Sequence, residues 1–234
     1  GKMPGPEDSD IPDPLIWLSY VAAHTESIRL ATGILIVPQR NPLVLAKEVA
    51  TLDRLSGGRV DLGIGVGWLE EEFDAIGVPF ADRGRRTDEY VAAMRALWSG
   101  RPTDFSGDFV NFQACISRPA PAAPVPIHIG GHSIAAARRA GRLGDGFFPG
   151  RGSHAELKAL IDTVRETAVK SDRDPDAIEI TSGGSGAFAD RALSEVEALA
   201  NIGVGRVIVP AFLFWSDPEA QLAEYGEQVI SASS

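Results

Sequence analysis

The sequence predicts an α/β fold, and three observations carry that reading. Short apolar, β-rich runs alternate with longer helical patterns along the chain. Several of these runs are almost continuously hydrophobic, as strands are when helices cover both sides of a parallel sheet or ring a barrel. Helix starts and stops carry capping residues, first-turn prolines and terminal glycines. With 234 residues and 44% hydrophobic content, the chain has enough apolar mass for one core, so one domain over 1–234 is the default.

The elements follow in order. The opening GKMPGPEDSDIPDP is rich in Pro, Gly and Asp, lacks a hydrophobic period, and reads as a loop. It begins in mid-loop without an initiating Met, which points to an upstream segment. Six strands are expected: Ile28 to Val37, Arg59 to Gly65, Pro126 to Gly130, Asp145 to Pro149, Ala177 to Gly183 and Arg206 to Val209. Between and around them run helical patterns from Pro14 to His24, Pro42 to Ser56, Arg83 to Trp98, Ser133 to Leu143, His154 to Lys170, Ala192 to Asn201 and Pro218 to Ile230. Asn41-Pro42 and Asp217-Pro218 each place a cap before a proline, and Gly57-Gly58, Gly144 and Gly203 suit left-handed positions after helix ends. About 60 residues separate the second and third strands, too many for one crossover. Within that interval, at about 100–125, Asp104 to Phe112 alternates around a turn and reads as an inserted hairpin.

Composition narrows the function. A net charge of -10 and a pI near 4.9 disfavour broad phosphate-backbone binding, leaving a small molecule as the expected partner. The single Cys115 can form neither an internal disulfide nor a thiolate metal site alone, which suits a reducing, cytoplasmic setting, and no metal site is expected. No apolar run approaches the roughly 20 residues of a membrane span.

The stretch DLGIGVGW, Asp61 to Trp68, superficially resembles a dinucleotide fingerprint. After Gly63 and Gly65, however, the third required glycine is replaced by Trp68, and Gly67 comes one residue early. Two readings remain: glycines that admit a closely packed neighbour, or a strand end whose bare backbone admits a flat ring. The Gly130, Gly131, His132, Ser133 sequence leads into a helix start, where free amide groups favour an anion. His132 either donates to that anion or is a capping-region residue. His128 reads as an interior histidine, and His24 and His154 lie near helix ends. Glu70, Glu71 and Glu72 suit the first turn of a helix or pairing with Arg83 or Arg86. Arg40 and Arg151 follow strands and read as solvated loop residues or as attractors of an acidic ligand. GDGFFPG and AFLFW are apolar enough to line a pocket or to fill a barrel mouth.

The ensemble IRLATGILIVPQRNPLVLAKEVATLDRLSGGRVDLGIGVGWLEEEF, with FADRGRRTDEYVAAMRALWSG, FSGDF, PVPIHIGG and GDGFFPG, resembles the bacterial luciferase-like oxidoreductases from about Asp13 to Val209. It is most similar to the branch that uses the deazaflavin coenzyme F420. The resemblance implies a (β/α)8 TIM barrel with the active site at the C-terminal ends of the strands. The six strands would be the third to eighth, so the first two would be missing from this chain and precede Gly1. It further implies a cis Gly33-Ile34 bond at a bulge facing the cofactor ring, with Gly65, Val66, Gly67 and Trp68 beside that ring. Phosphate would fall on Gly130, Gly131, His132 and Ser133. A histidine common at the end of the family's second strand has no counterpart here, so no catalytic acid or base is assigned. The expected activity is F420-dependent hydride transfer to or from an organic substrate, in a homodimer. The alternatives are an FMN-dependent monooxygenase of the same fold or a non-catalytic flavin- or deazaflavin-binding barrel. A doubly wound domain fits the strand count but leaves the motifs unexplained.

Overall fold

A computed structural model describes residues 10–150, 152–183 and 192–232. They fall into two compact units, Gly1–Ile127 and His128–Ser234.

The first unit opens with α1 (Pro14–Ala23), started by Asp13, whose side chain accepts from the amides of Leu15 and Ile16. Two short strands follow, β1 (Leu30–Ala31) and β2 (Leu35–Ile36), then a 3-10 turn at Val37–Gln39. Helix α2 (Pro42–Ser56) starts at an Asn41 cap and stops at Gly57, whose φ of 75° gives the left-handed ending that the sequence suggested. Strand β3 (Val60–Gly65) is buried along its whole length, and both β1 and β2 run parallel to it. Then come α3 (Glu70–Ala75), α4 (Arg83–Leu97) and an antiparallel hairpin of β4 (Thr103–Ser106) and β5 (Asn111–Cys115). The inserted hairpin is therefore present. Its tip is pinned to α4 by Glu89, whose carboxylate accepts from the amides of Asp108, Phe109 and Val110 at 2.9, 2.7 and 2.7 Å.

Buried polar groups tie this unit together. Arg59 donates to the carbonyls of Ala22, Thr25, Ile28 and Ser56 and to the Thr25 hydroxyl. One side chain thus satisfies carbonyls after α1 and at the end of α2, groups that would otherwise lose water without gaining a donor. Asp53, 1% exposed, accepts from the amides of Val60, Ala122 and Ala123 and so fixes the chain that approaches the next strand.

The second unit repeats strand and helix. Strands β6 (Ile127–Gly130, beginning at the last residue of the first unit), β7 (Gly146–Phe148), β8 (Glu179–Gly183) and β9 (Arg206–Ile208) pair in sequence, all parallel. Helices α5 (Ile134–Leu143), α6 (His154–Lys170) and α7 (Ala192–Asn201) alternate with them. After a 3-10 turn at Ala211–Phe214, α8 (Pro218–Tyr225) runs into a π turn at Gly226–Ile230, so the last helical pattern is regular only in its first half. Helices α5 and α6 approach so closely that a Cβ on Gly141 would lie 2.6 Å from the Val164 carbonyl.

Gly144 departs from expectation: its φ is -82°, not left-handed. The α5 end is closed instead by Arg173, which donates to the carbonyls of Ala140, Gly141 and Gly144. Glycine is required there for space, since a Cβ would meet Ile129 at 2.8 Å and the Gly146 carbonyl at 2.9 Å. His128 is buried, as expected, with its ring in the place a Gly146 side chain would take and its Nε2 3.9 Å from Glu179. His24 bonds the Tyr20 carbonyl behind α1, and His154 pairs with Glu195 at 3.0 Å at the start of α6.

Candidate functional site

In the first unit, the strand ends are shaped by a β-bulge. Ala31 pairs with Asp61 and Leu35 with Ile64, so four steps on one strand oppose three on the other. The extra residue lies in Thr32-Gly33-Ile34. Thr32 turns inward, its amide bonded to the Asp61 carbonyl at 3.2 Å and its hydroxyl donating to the Gly63 carbonyl at 2.7 Å. Ile34 is left 39% exposed at the end of the bulge.

The bulge implied by the resemblance is thus present, but the Gly33-Ile34 bond is not cis; among the described residues the cis bond is Arg118-Pro119. A non-proline cis bond costs about 3 to 4 kcal/mol and persists only when its surroundings enforce it. The space beside Gly33 is open: a Cβ there would meet no atom within 4 Å.

The three glycines after Asp61 have separate reasons. A Cβ on Gly63 would sit 2.3 Å from the Thr32 carbonyl oxygen, so this position admits the bulged backbone. On Gly65 it would meet only Ile34 Cγ2, at 2.7 Å. Gly67 has φ +82°, a conformation costly for residues with a side chain. The Phe73 ring and Ile36 fill the space beside it, at 2.7 and 2.9 Å from a virtual Cβ. Close packing therefore explains all three glycines, and Val66, Gly67 and a 55% exposed Trp68 still form the chain's exit from β3. Ile34 in the bulge and Trp68 beyond the C-terminal end of β3 are thus large apolar side chains left partly open.

Arg83 and Arg86 do not take the roles expected of them. Arg83 donates to the carbonyls of Gly67 at 3.3 Å and Phe80 at 2.9 Å, and Arg86 lies over the Phe109 ring at 4.3 Å and donates to the Tyr90 hydroxyl. Glu70, Glu71 and Glu72 occupy the first turn of α3 as the helix dipole favours, and Gln39 donates to Glu72 at 2.8 Å. Arg40 pairs with Asp13 rather than standing as a free cation. Arg151 lies outside the described residues. The role of Arg83 was missed in the sequence because its acceptors are backbone carbonyls, which leave no signature in residue type.

In the second unit, Gly130 and Gly131 end β6, and the Gly131 amide bonds the Phe148 carbonyl at 3.0 Å. Ser133 caps α5 by accepting from the Ala136 amide at 3.2 Å, and His132 is exposed beside it. His132 and Ile134 form one wall of a cavity of about 560 Å³ whose other wall is α6, including Glu156 and Leu160. Hydrogen bonds from the Ser153 amide and hydroxyl hold the Glu156 carboxyl below its ordinary value, so the α6 wall is anionic. With the Gly131 amide taken by Phe148, an anion in this cavity is favoured at the α5 N-terminus, away from Glu156. A Cβ at Gly131 would lie 3.1 Å from Ala136 Cβ, so the turn stays bare. These groups suit a phosphate, and the apolar strand ends of the first unit suit a flat ring.

Comparison with known proteins follows the same line. The model of a family described as luciferase-like monooxygenase matches residues 3–229. An F420-dependent glucose-6-phosphate dehydrogenase of Gordonia bronchialis is 33% identical over 175 residues, covering 72% of this chain and 52% of that protein. An FMNH(2)-dependent dimethylsulfone monooxygenase of Pseudomonas putida is 32% identical over 217 residues, covering 91% and 56%. The chain spans about half the length of the curated relatives it matches. Among solved structures, the coenzyme F420-dependent tetrahydromethanopterin reductase of Methanopyrus kandleri superposes with a TM-score of 0.80 over 95% of this chain and 88% of its own, at 18% identity, a likeness of fold.

Proposed function

Since the chain belongs to the luciferase-like monooxygenase family, we propose that it is an F420-dependent oxidoreductase acting on a small organic substrate. The observation that carries this reading is the end of β3: a bulged neighbour, and Ile34 and Trp68 left partly open beside the chain's exit at Gly65 to Gly67. The similarity to an F420-dependent dehydrogenase supports the choice of cofactor. In the first unit, Gly33, Ile34, Gly65, Val66, Gly67 and Trp68 are the candidate ring contacts. In the second, Gly130, Gly131, His132 and Ser133 are the candidate phosphate contacts. Bound F420 would supply the hydride chemistry, and the protein would hold the ring, keep water from it and orient the substrate.

A second reading, an FMN-dependent monooxygenase, is supported by the FMNH(2)-dependent relative that matches 91% of this chain. Fluorescence titration of the purified protein with oxidised F420 and, separately, FMN decides between them. Micromolar or tighter F420 binding with much weaker FMN binding is the expected result. Preference for FMN would put the second reading first, and binding of neither would overturn both in favour of a non-catalytic barrel. No helix among the described residues is long and apolar enough to cross a membrane. A homodimer belongs to the same proposal; it is supported by Ile16, Trp17 and Tyr20 on α1, at 75, 53 and 61% exposure, and is checked by light scattering, while the cytoplasmic location proposed with it is checked by cell fractionation.

A further inference from the structure

We propose that Arg83 is a positioning residue that sets the direction of the Trp68 amide, making that N-H a fixed donor toward the cofactor ring. The inference rests on the ring reading given above. Arg83 is the first residue of α4, where a cation is disfavoured by the helix dipole, so helix stability does not explain it. Its guanidinium lies 3.7 Å from the centre of the Phe80 ring, and its fork donates to two carbonyls, those of Gly67 and Phe80. Phe80 meets Phe73 edge-on at 5.3 Å, and the Phe73 ring fills the space beside Gly67. Gly67, Phe73, Phe80 and Arg83 therefore form a closed circuit of contacts around one peptide unit.

The consequence follows from peptide planarity. The Gly67 carbonyl and the Trp68 N-H belong to the same rigid plane and point in opposite directions. Holding the carbonyl on Arg83 turns the N-H away from the Arg83 side. The Trp68 amide has no acceptor among the described residues. Lysine in place of Arg83 could keep the charge and one carbonyl, but not the flat fork that spans both.

The test compares wild type with Arg83→Met and Arg83→Lys. Backbone order parameters on the free protein should fall from the rigid range of about 0.85 to below about 0.6 at residues 66 to 69 in Arg83→Met, with partial recovery in Arg83→Lys, while residues 61 to 64 of β3 stay rigid. Dissociation constants for FMN and for riboflavin, its phosphate-free counterpart, should rise by one common factor of about ten, and that for F420 should rise similarly. Unchanged order parameters at 66 to 69, or a loss confined to phosphate-bearing ligands, would overturn the proposal. If Arg83→Met also loosens β3, Phe80→Leu, which removes the platform and the edge contact to Phe73 but keeps the Phe80 carbonyl, carries the same expectation. If wild type binds none of the three ligands, the cofactor reading fails and the role as a ring donor falls with it. The order parameters then still decide whether Arg83 holds the turn.

Discussion

Replacing Gly63 with alanine should destabilise the protein far more than the same change at Gly65, two residues further along the same strand. The new methyl at 63 would lie 2.3 Å from the Thr32 carbonyl oxygen, where real contacts essentially never fall below 3.0 Å. The two strands must therefore separate by several tenths of an ångström at a point where β3 is buried throughout. Overpacking of this kind costs about 1 to 3 kcal/mol. Separation also stretches the buried bond from the Thr32 hydroxyl to the Gly63 carbonyl, worth about 1 kcal/mol. The sum, roughly 3 kcal/mol, corresponds to a fall in Tm of about 6 to 12 °C for a chain of this size. At Gly65 the obstacle is Ile34 Cγ2, the branch methyl of a 39% exposed side chain, which a change of χ1 moves without displacing backbone, so the cost should be about 1 kcal/mol. Urea denaturation of both variants measures the difference. Equal losses, or a larger loss at 65, would refute the packing account of β3.

Other perturbations have equally definite outcomes. Arg59→Lys cannot reach all five acceptors and should lose about 2 to 3 kcal/mol of stability in denaturant titrations; a change within about 0.5 kcal/mol would show that water replaces the guanidinium. Glu89→Ala deprives three hairpin amides of their acceptor, so limited proteolysis should cut at residues 107 to 110 much sooner while β3 remains protected. Burial pushes the Asp13 carboxyl up, but bonds from Arg40, Ile16 and Leu15 and the Arg40 charge outweigh it, leaving its pKa below the ordinary 3.8. A lowered folded value means that this stabilisation is complete above the ordinary value and is lost as pH falls through the folded one. Acid denaturation curves of wild type and Asp13→Asn should therefore converge as pH drops below 3.8, and a constant offset would contradict the assignment.

Local rules made much of the fold legible. The Asn41 cap and Gly57 bounded α2, and the Asp217 cap before Pro218 marked the start of α8, because each signal acts within one helical turn. Gly144 was misread because its constraint comes from Ile129 and Arg173, which are distant in sequence. The bulge was legible only through family resemblance, since TGILIVP has no local feature that announces an extra residue. The glycines of DLGIGVGW were visible as a pattern, but their separate causes depend on Thr32, Ile34 and Phe73, which pairing and packing bring together. Arg59 and Arg83 were hidden for the same reason, since both serve carbonyls.

The ring of His128 occupying the volume vacated by Gly146 means that neither position is free to drift alone. Glu89 stands in the same relation to Gly107, with a carboxylate oxygen 2.2 Å from where a methyl would be, and Arg165 to Gly203, at 2.7 Å. Each glycine in effect borrows its partner's side chain. Any lineage that enlarges one member must first, or simultaneously, shrink the other, so such pairs should change together over evolutionary time or not at all.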